Sequence, residues 1–168
     1  MSEHSEDVRH TDAHPKVEPP VGIDELLERV RLDLDRVTPE EARDIAAAGG
    51  LLVDIRYAAL RERDGLIPGA LVVERNELEW RLDPQGSHRA AEAVSHGLHV
   101  VVICNEGYAS SLAAVSLRQL GLRHATDLIG GFQAWKAAGL PVTAGLPVSA
   151  GLPVTAGPHA DAGLPASD

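Results

Sequence analysis

The chain has a single cysteine, two lysines, and no apolar run long enough to cross a membrane. One thiol excludes an internal disulfide, a Cys-x-x-Cys redox pair and a zinc site built from several thiolates. Any sulfur chemistry therefore passes through Cys104 and a molecule from outside. A membrane helix needs ~20 apolar residues, and the opening MSEHSEDVRHTDAHPK lacks the basic start and apolar middle of a secretion signal. These absences predict a cytoplasmic protein. Cationic surface is short as well, since 25 acidic against 15 basic residues give a formal net charge of -10. That balance argues against phosphate backbones and anionic lipid, so neither nucleic acid nor membrane is expected as a partner. The scarcity of lysine beside thirteen arginines reads as base-composition bias and carries no functional weight.

A chain of 168 residues holds one ordinary domain with tails. Residues 1–22 are polar, acidic and without apolar periodicity, which predicts a disordered arm. His4, His10 and His14 fall there, with no helix or turn to fix a metal geometry. At the other end GLPVTA, GLPVSA and GLPVTA repeat over residues 139–156. Six residues holding Gly and Pro are too few for a packing repeat, so residues 145–168 are expected to be a flexible tail. The domain is expected to span residues 23–144.

Within it, Ile23, Leu26, Leu27, Val30 and Leu34 recur at helical spacing and predict a helix over 23–35. Thr38-Pro39-Glu40-Glu41 supplies a cap, a first-turn proline and a capping-box glutamate for a second helix, stopped by Gly49-Gly50. LLVDI (51–55), ALVV (70–73), HVVVI (99–103) and ATDLI (125–129) read as strands. Apolar strands alternating with helical segments indicate an α/β fold with a mainly parallel sheet covered on both faces. Trp80 and Trp135 sit in apolar-patterned helices and are expected in the core.

Cys104 follows the most apolar strand, where open α/β sheets form their functional crevice. Ser110-Ser111 are placed to cap a helix carrying Leu112, Val115, Leu117 and Leu120. Backbone N–H groups of the intervening loop and the positive end of that helix favour a thiolate and a bound anion. A small buried side chain ending a strand would look the same from this loop alone. Other chemistries fit less well. A phosphatase loop needs Cys-x5-Arg for its bidentate fork, and the residue at that spacing is Ser110. Gly107-Tyr108-Ala109-Ser110-Ser111 is no Gly-x-Ser-x-Gly elbow. Asp54 and Arg56, at a strand end, are read as a loop-tying pair.

Four motifs, in order along residues 38–143, together resemble the rhodanese (sulfurtransferase) family. Asp54-Ile55-Arg56 is similar to its Asp-x-Arg, and Ile67-Pro68-Gly69-Ala70 to the tetrad entering its third strand. Cys104 with Gly107 and Ser110 resembles the persulfide loop. Gly130-Gly131-Phe132 with Trp135, then Gly139-Leu140-Pro141-Val142, resembles the closing signature. The resemblance implies a five-stranded parallel sheet, and a cysteine that takes sulfane sulfur from thiosulfate or a persulfide. The sulfur then passes to a thiol, a thiol-carrying protein or cyanide. Neither metal nor organic cofactor is implied. Cys104 would be the catalytic residue, Asn105, Glu106, Gly107, Tyr108, Ala109 and Ser110 the substrate-binding loop, and Arg61 a candidate substrate-binding residue. Asn105 and Glu106 stand where thiosulfate-using members often carry basic residues, and Leu66 replaces a histidine common before Ile-Pro-Gly. The alternative is a non-catalytic rhodanese-like module that docks a partner or senses sulfur.

Overall fold

The computed structural model describes residues 18–145. Most of the expected arm and of the repeat tail lies outside the described residues. Helix α1 spans Ile23–Arg31, four residues shorter than its apolar spacing predicts. Tight turns replace the helix beyond it, with Leu32 N–H donating to Arg29 O and Leu34 N–H to Arg31 O. Leu34 thereby enters the core, and the chain reaches the sheet edge at Val37.

Val37 forms only an isolated parallel bridge with Leu128. The expected fifth strand is thus reduced to one bridge, and among the described residues the sheet has four strands. The next two residues explain why: Thr38 is committed to capping, and Pro39 has no N–H for a ladder. Helix α2 (Pro39–Ala47) starts with the capping box the sequence predicts. Glu41 N–H donates to Thr38 Oγ1 at 3.3 Å, and Thr38 N–H to the Glu41 carboxylate at 2.8 Å.

Strands β1 (Leu51–Asp54), β2 (Leu71–Val72), β3 (Val100–Ile103) and β4 (Ala125–Asp127) pair in parallel in the order β2-β1-β3-β4. All four side chains of the central strand β3 are fully buried, which is why its sequence is continuously β-branched rather than alternating. On one face Val53, Val100 and Val102 pack under α4 (Leu78–Leu82) and α5 (Ala109–Gln119). On the other, Leu52, Val101 and Ile103 pack under α2 and α6 (Gly131–Ala137). Helix α3 (Ala58–Asp64) links β1 towards β2. Leu66 and Thr143 exchange N–H···O bonds of 2.8 Å, which fastens the end of the described chain to the β1–β2 connection.

Of the two tryptophans expected in the core, one is corrected. Trp80 is 63% exposed, because Leu78 and Leu82 occupy the inward face of α4 and leave it outside. Trp135 is buried, and its Nε1 donates to Pro141 O at 2.9 Å. On α5 the inward residues are Ala113, Ala114 and Leu117, while Leu112 and Val115 are only partly buried and Leu120 is exposed. Small side chains on that face let the helix lie close to the sheet.

The strand order creates the site. From β1 the chain moves outward to β2, and from β3 it moves the opposite way to β4. The carboxyl ends of β1 and β3 therefore lie side by side with connections that diverge, which opens a crevice between Asp54-Ile55-Arg56 and Cys104.

Candidate active site at Cys104

Cys104 directly follows β3, and residues 105–108 lead to α5. The loop is clamped by the start of α6. Phe132 N–H donates to Cys104 O at 2.9 Å and Gln133 N–H to Asn105 O at 3.1 Å. This close approach requires glycine. At Gly131 (φ 60°) a Cβ would lie 2.5 Å from Cys104 O, and at Gly107 (φ 84°) one would lie 2.7 Å from Gly130 N. The glycine pair and the loop glycine are two halves of one contact.

The Cys104 side chain is buried. Gly107 N–H donates to Sγ at 3.1 Å, and the thiol lies 3.2 Å from Ser110 Oγ. Ser110 and Ser111 do not cap α5: Tyr108 is the cap residue, and both serines lie inside the first turn, fully buried. Their hydroxyls donate to Asp127 Oδ2 at 2.8 and 2.9 Å. Asp127, fully buried at the end of β4, also receives Arg36 Nε at 2.8 Å and Nη2 at 3.1 Å. Arg36 Nη2 and Arg31 Nη2 both donate to Gly107 O, at 3.0 and 2.8 Å, and Arg31 Nε donates to Ser111 Oγ at 3.0 Å. Two guanidinium groups from the segment before the sheet thus support the loop from below. Sequence reasoning did not find Arg31, Arg36 or Asp127. The one available signal was an acid inside the apolar run ATDLI.

Asp54 and Arg56 form a buried ion pair, with Nη2 2.7 Å from Oδ2. Arg56 Nη2 also donates to Gly65 O at 2.8 Å, and the guanidinium stacks on the Phe132 ring with its carbon 3.5 Å from the centroid. This ties the end of β1 to the α3 turn and to α6. Arg56 Nη1 is buried without a partner among the described residues.

Arg61 is not in the cleft. Its guanidinium donates to Arg56 O and, at 2.8 Å, to Glu74 Oε1. Leu60 and Arg75 line the cleft instead. The cleft has a volume of about 250 Å³ and is walled by Ile55, Arg56, Tyr57, Leu60, Arg75, Cys104, Asn105, Glu106, Tyr108 and Ala109. Tyr57, Glu106 and Tyr108 are exposed at its border. Asn105 is braced from α6: Gln133 Nε2 donates to Asn105 Oδ1 at 3.0 Å and to Asp64 Oδ2 at 3.2 Å. Hydrogen bonding from Arg63 holds the Asp64 carboxyl down at about 2, against some desolvation and with help from Gln133. That brace remains ionised until the pH falls towards that value.

Residues 38–138 match the Rhodanese-like domain, and the chain belongs to that family. A thiosulfate sulfurtransferase GlpE from Stutzerimonas stutzeri is 31% identical over 104 residues, covering 62% of this chain and 86% of the relative. A solved structure from Rhodopseudomonas palustris, described as a protein of unknown function and possible tyrosine phosphatase, is 31% identical with a TM-score of 0.66. The match covers 76% of this chain and all of that one. The human single-domain sulfurtransferase TSTD1 is 29% identical with a TM-score of 0.53, covering 61% of this chain and 95% of that one. The phosphatase description does not transfer on chemistry. Ser110 stands at the arginine position of a Cys-x5-Arg loop, and its hydroxyl is already engaged with Cys104 and Asp127.

Proposed function

We propose that the protein is a sulfurtransferase in which Cys104 accepts a sulfane sulfur from thiosulfate or a persulfide and hands it to a thiol or cyanide. The supporting observation is the placement of the only thiol in the chain at the β1/β3 crevice, with Gly107 N–H on its sulfur and a cleft in front of it. Names of similar proteins add weight: the Stutzerimonas stutzeri and human relatives are both called sulfurtransferases.

The Cys104 thiolate attacks the outer sulfur of R–S–SH. The sulfur–sulfur bond of the donor breaks, and R–S⁻ leaves with the electron pair. The outer sulfur keeps its proton as Cys104–S–SH. With thiosulfate the leaving group is sulfite. The Gly107 N–H and the positive end of α5 stabilise negative charge at Sγ in the thiolate, both before attack and when the electron pair returns to it. An acceptor thiolate or cyanide then attacks the outer sulfur, and the bonding pair returns to Cys104. The test is the intact mass of the protein after incubation with a sulfane donor. One added sulfur atom, mapped to Cys104 and removed by an acceptor, is expected; its absence with every donor class would refute the reading.

Glu106 should discriminate among donors. At about 6 Å and an effective dielectric near 20, a carboxylate opposes each unit of donor charge by roughly 3 kcal/mol, which exposure to salt and solvent cuts to about a third. Glu106→Lys replaces that repulsion with attraction. Thiosulfate turnover is expected to rise by about tenfold at low ionic strength and to become more salt-sensitive, with a protonated persulfide changing far less. Unchanged thiosulfate kinetics would mean that the carboxylate does not face the donor.

A further inference from the structure

The Cys104 cleft carries its positive charge in an unusual way. Arg56 lines it, but its Nε and Nη2 are committed to Asp54 and Gly65 O and its face to the Phe132 ring, which leaves only the buried Nη1 without a partner among the described residues. The remaining cation on the lining is Arg75, from the turn of 3-10 helix at Arg75–Glu77. Its Nη1 is held by both Glu79 oxygens, at 2.9 and 3.1 Å, and Glu79 is itself fixed by the Ser116 hydroxyl from α5. Burial works against ionisation of Glu79, but the Ser116 hydrogen bond and the Arg75 charge help to hold its carboxyl below the ordinary range. Nε and Nη2 of Arg75 have no partner among the described residues, and the side chain is 41% exposed. A guanidinium anchored by one nitrogen with two donors to spare is a preset fork for one carboxylate. The same lining includes the apolar side chains of Ile55, Leu60 and Ala109, which offer nothing to a second charge. Glu106, on the loop beside Cys104, also lines the cleft, and the donor discrimination proposed above would disfavour a second charge at the sulfur end.

Resting on the sulfurtransferase reading, we infer that the cleft is built for an organic thiol or persulfide with an apolar body and one carboxylate held by Arg75. In the acceptor direction R–S⁻ attacks the outer sulfur of Cys104–S–SH. The sulfur–sulfur bond breaks, its electron pair goes to Cys104 Sγ, and R–S–SH leaves with the proton of the outer sulfur.

The probes are 4-sulfanylbutanoate and 4-sulfanylbutan-1-ol, which share the thiol and the spacer and differ in the carboxylate. With the full chain preloaded with sulfur, kcat/KM for the acid should exceed that for the alcohol by about tenfold at low ionic strength, mainly through KM. Arg75→Gln should bring the ratio to about one, and Arg75→Lys, a point charge without the fork, should leave it between. A second measurement does not need sulfur transfer. Pentanoate should protect Cys104 from iodoacetamide better than pentan-1-ol does, and Arg75→Gln should erase the difference. Sulfur loading without an Arg75-dependent preference for the acid overturns this inference alone. Failure to load sulfur overturns the sulfurtransferase reading and the substrate class with it.

Discussion

Replacing Cys104 with serine is expected to abolish sulfur transfer while the protein stays folded. In the proposed reaction the reacting species is a thiolate, and an alcohol oxygen at the same place neither ionises near neutral pH nor exchanges at a sulfur–sulfur bond. No second cysteine exists to take over the reaction. The swap changes the volume little, and a hydroxyl can keep both neighbours of Sγ, the Gly107 N–H and the Ser110 hydroxyl. Stability should therefore move by no more than about 1 kcal/mol, which in a domain of this size is a shift of only about 2–4 °C in the unfolding midpoint. Enzyme kinetics with cyanide and with a thiol acceptor, beside a melting curve, read both halves. Residual transfer by the folded Cys104→Ser protein at a rate near the parent's would remove Cys104 from the mechanism.

The position of Cys104 at the crevice is legible in the sequence because it depends on neighbours in the chain. A continuous VVVI run has to be a buried central strand, its end is where α/β sheets place a crevice, and Cys104 stands there. The start of α2 is equally local, since Thr38, Pro39 and Glu41 complete the cap among themselves. What was not legible depends on rotation or on distance along the chain. Adjacent residues of a helix differ by about 100° in direction, so one residue decides whether position 60 or 61 faces the cleft, and Leu60 takes that place. Trp80 fails as a core residue for the same reason, because Leu78 and Leu82 claim the inward face. The fifth strand was implied by family resemblance, and here Pro39 cuts it to a bridge at Val37. The contacts of Arg31 and Arg36 with the Cys104 loop join residues more than 70 positions apart, and no local pattern encodes them.

Asp127→Ala should produce a large loss of stability. The carboxylate is fully buried and accepts four hydrogen bonds, two from Arg36 and one each from Ser110 and Ser111. Its removal strands two buried hydroxyls and leaves a guanidinium that is only 18% exposed beside an empty site. Breaking a buried pair in this way costs about 3–5 kcal/mol, and the residual solvent contact of Arg36 puts the expectation nearer 2–4 kcal/mol. At about 2–4 °C per kcal/mol the unfolding midpoint should fall by roughly 5–15 °C. Arg36→Leu removes the other half of the pair, so the double variant should be less damaged than the two single losses added together, with a coupling of about 1–3 kcal/mol. The network also underlies the Cys104 loop, because Arg36 reaches Gly107 O and Ser110 reaches the thiol. Alkylation of Cys104 by iodoacetamide should accordingly change in rate in Asp127→Ala at temperatures where the protein is still folded. A cost below about 1 kcal/mol, or strictly additive losses in the cycle, would show that the Asp127–Arg36 pair does not hold the loop.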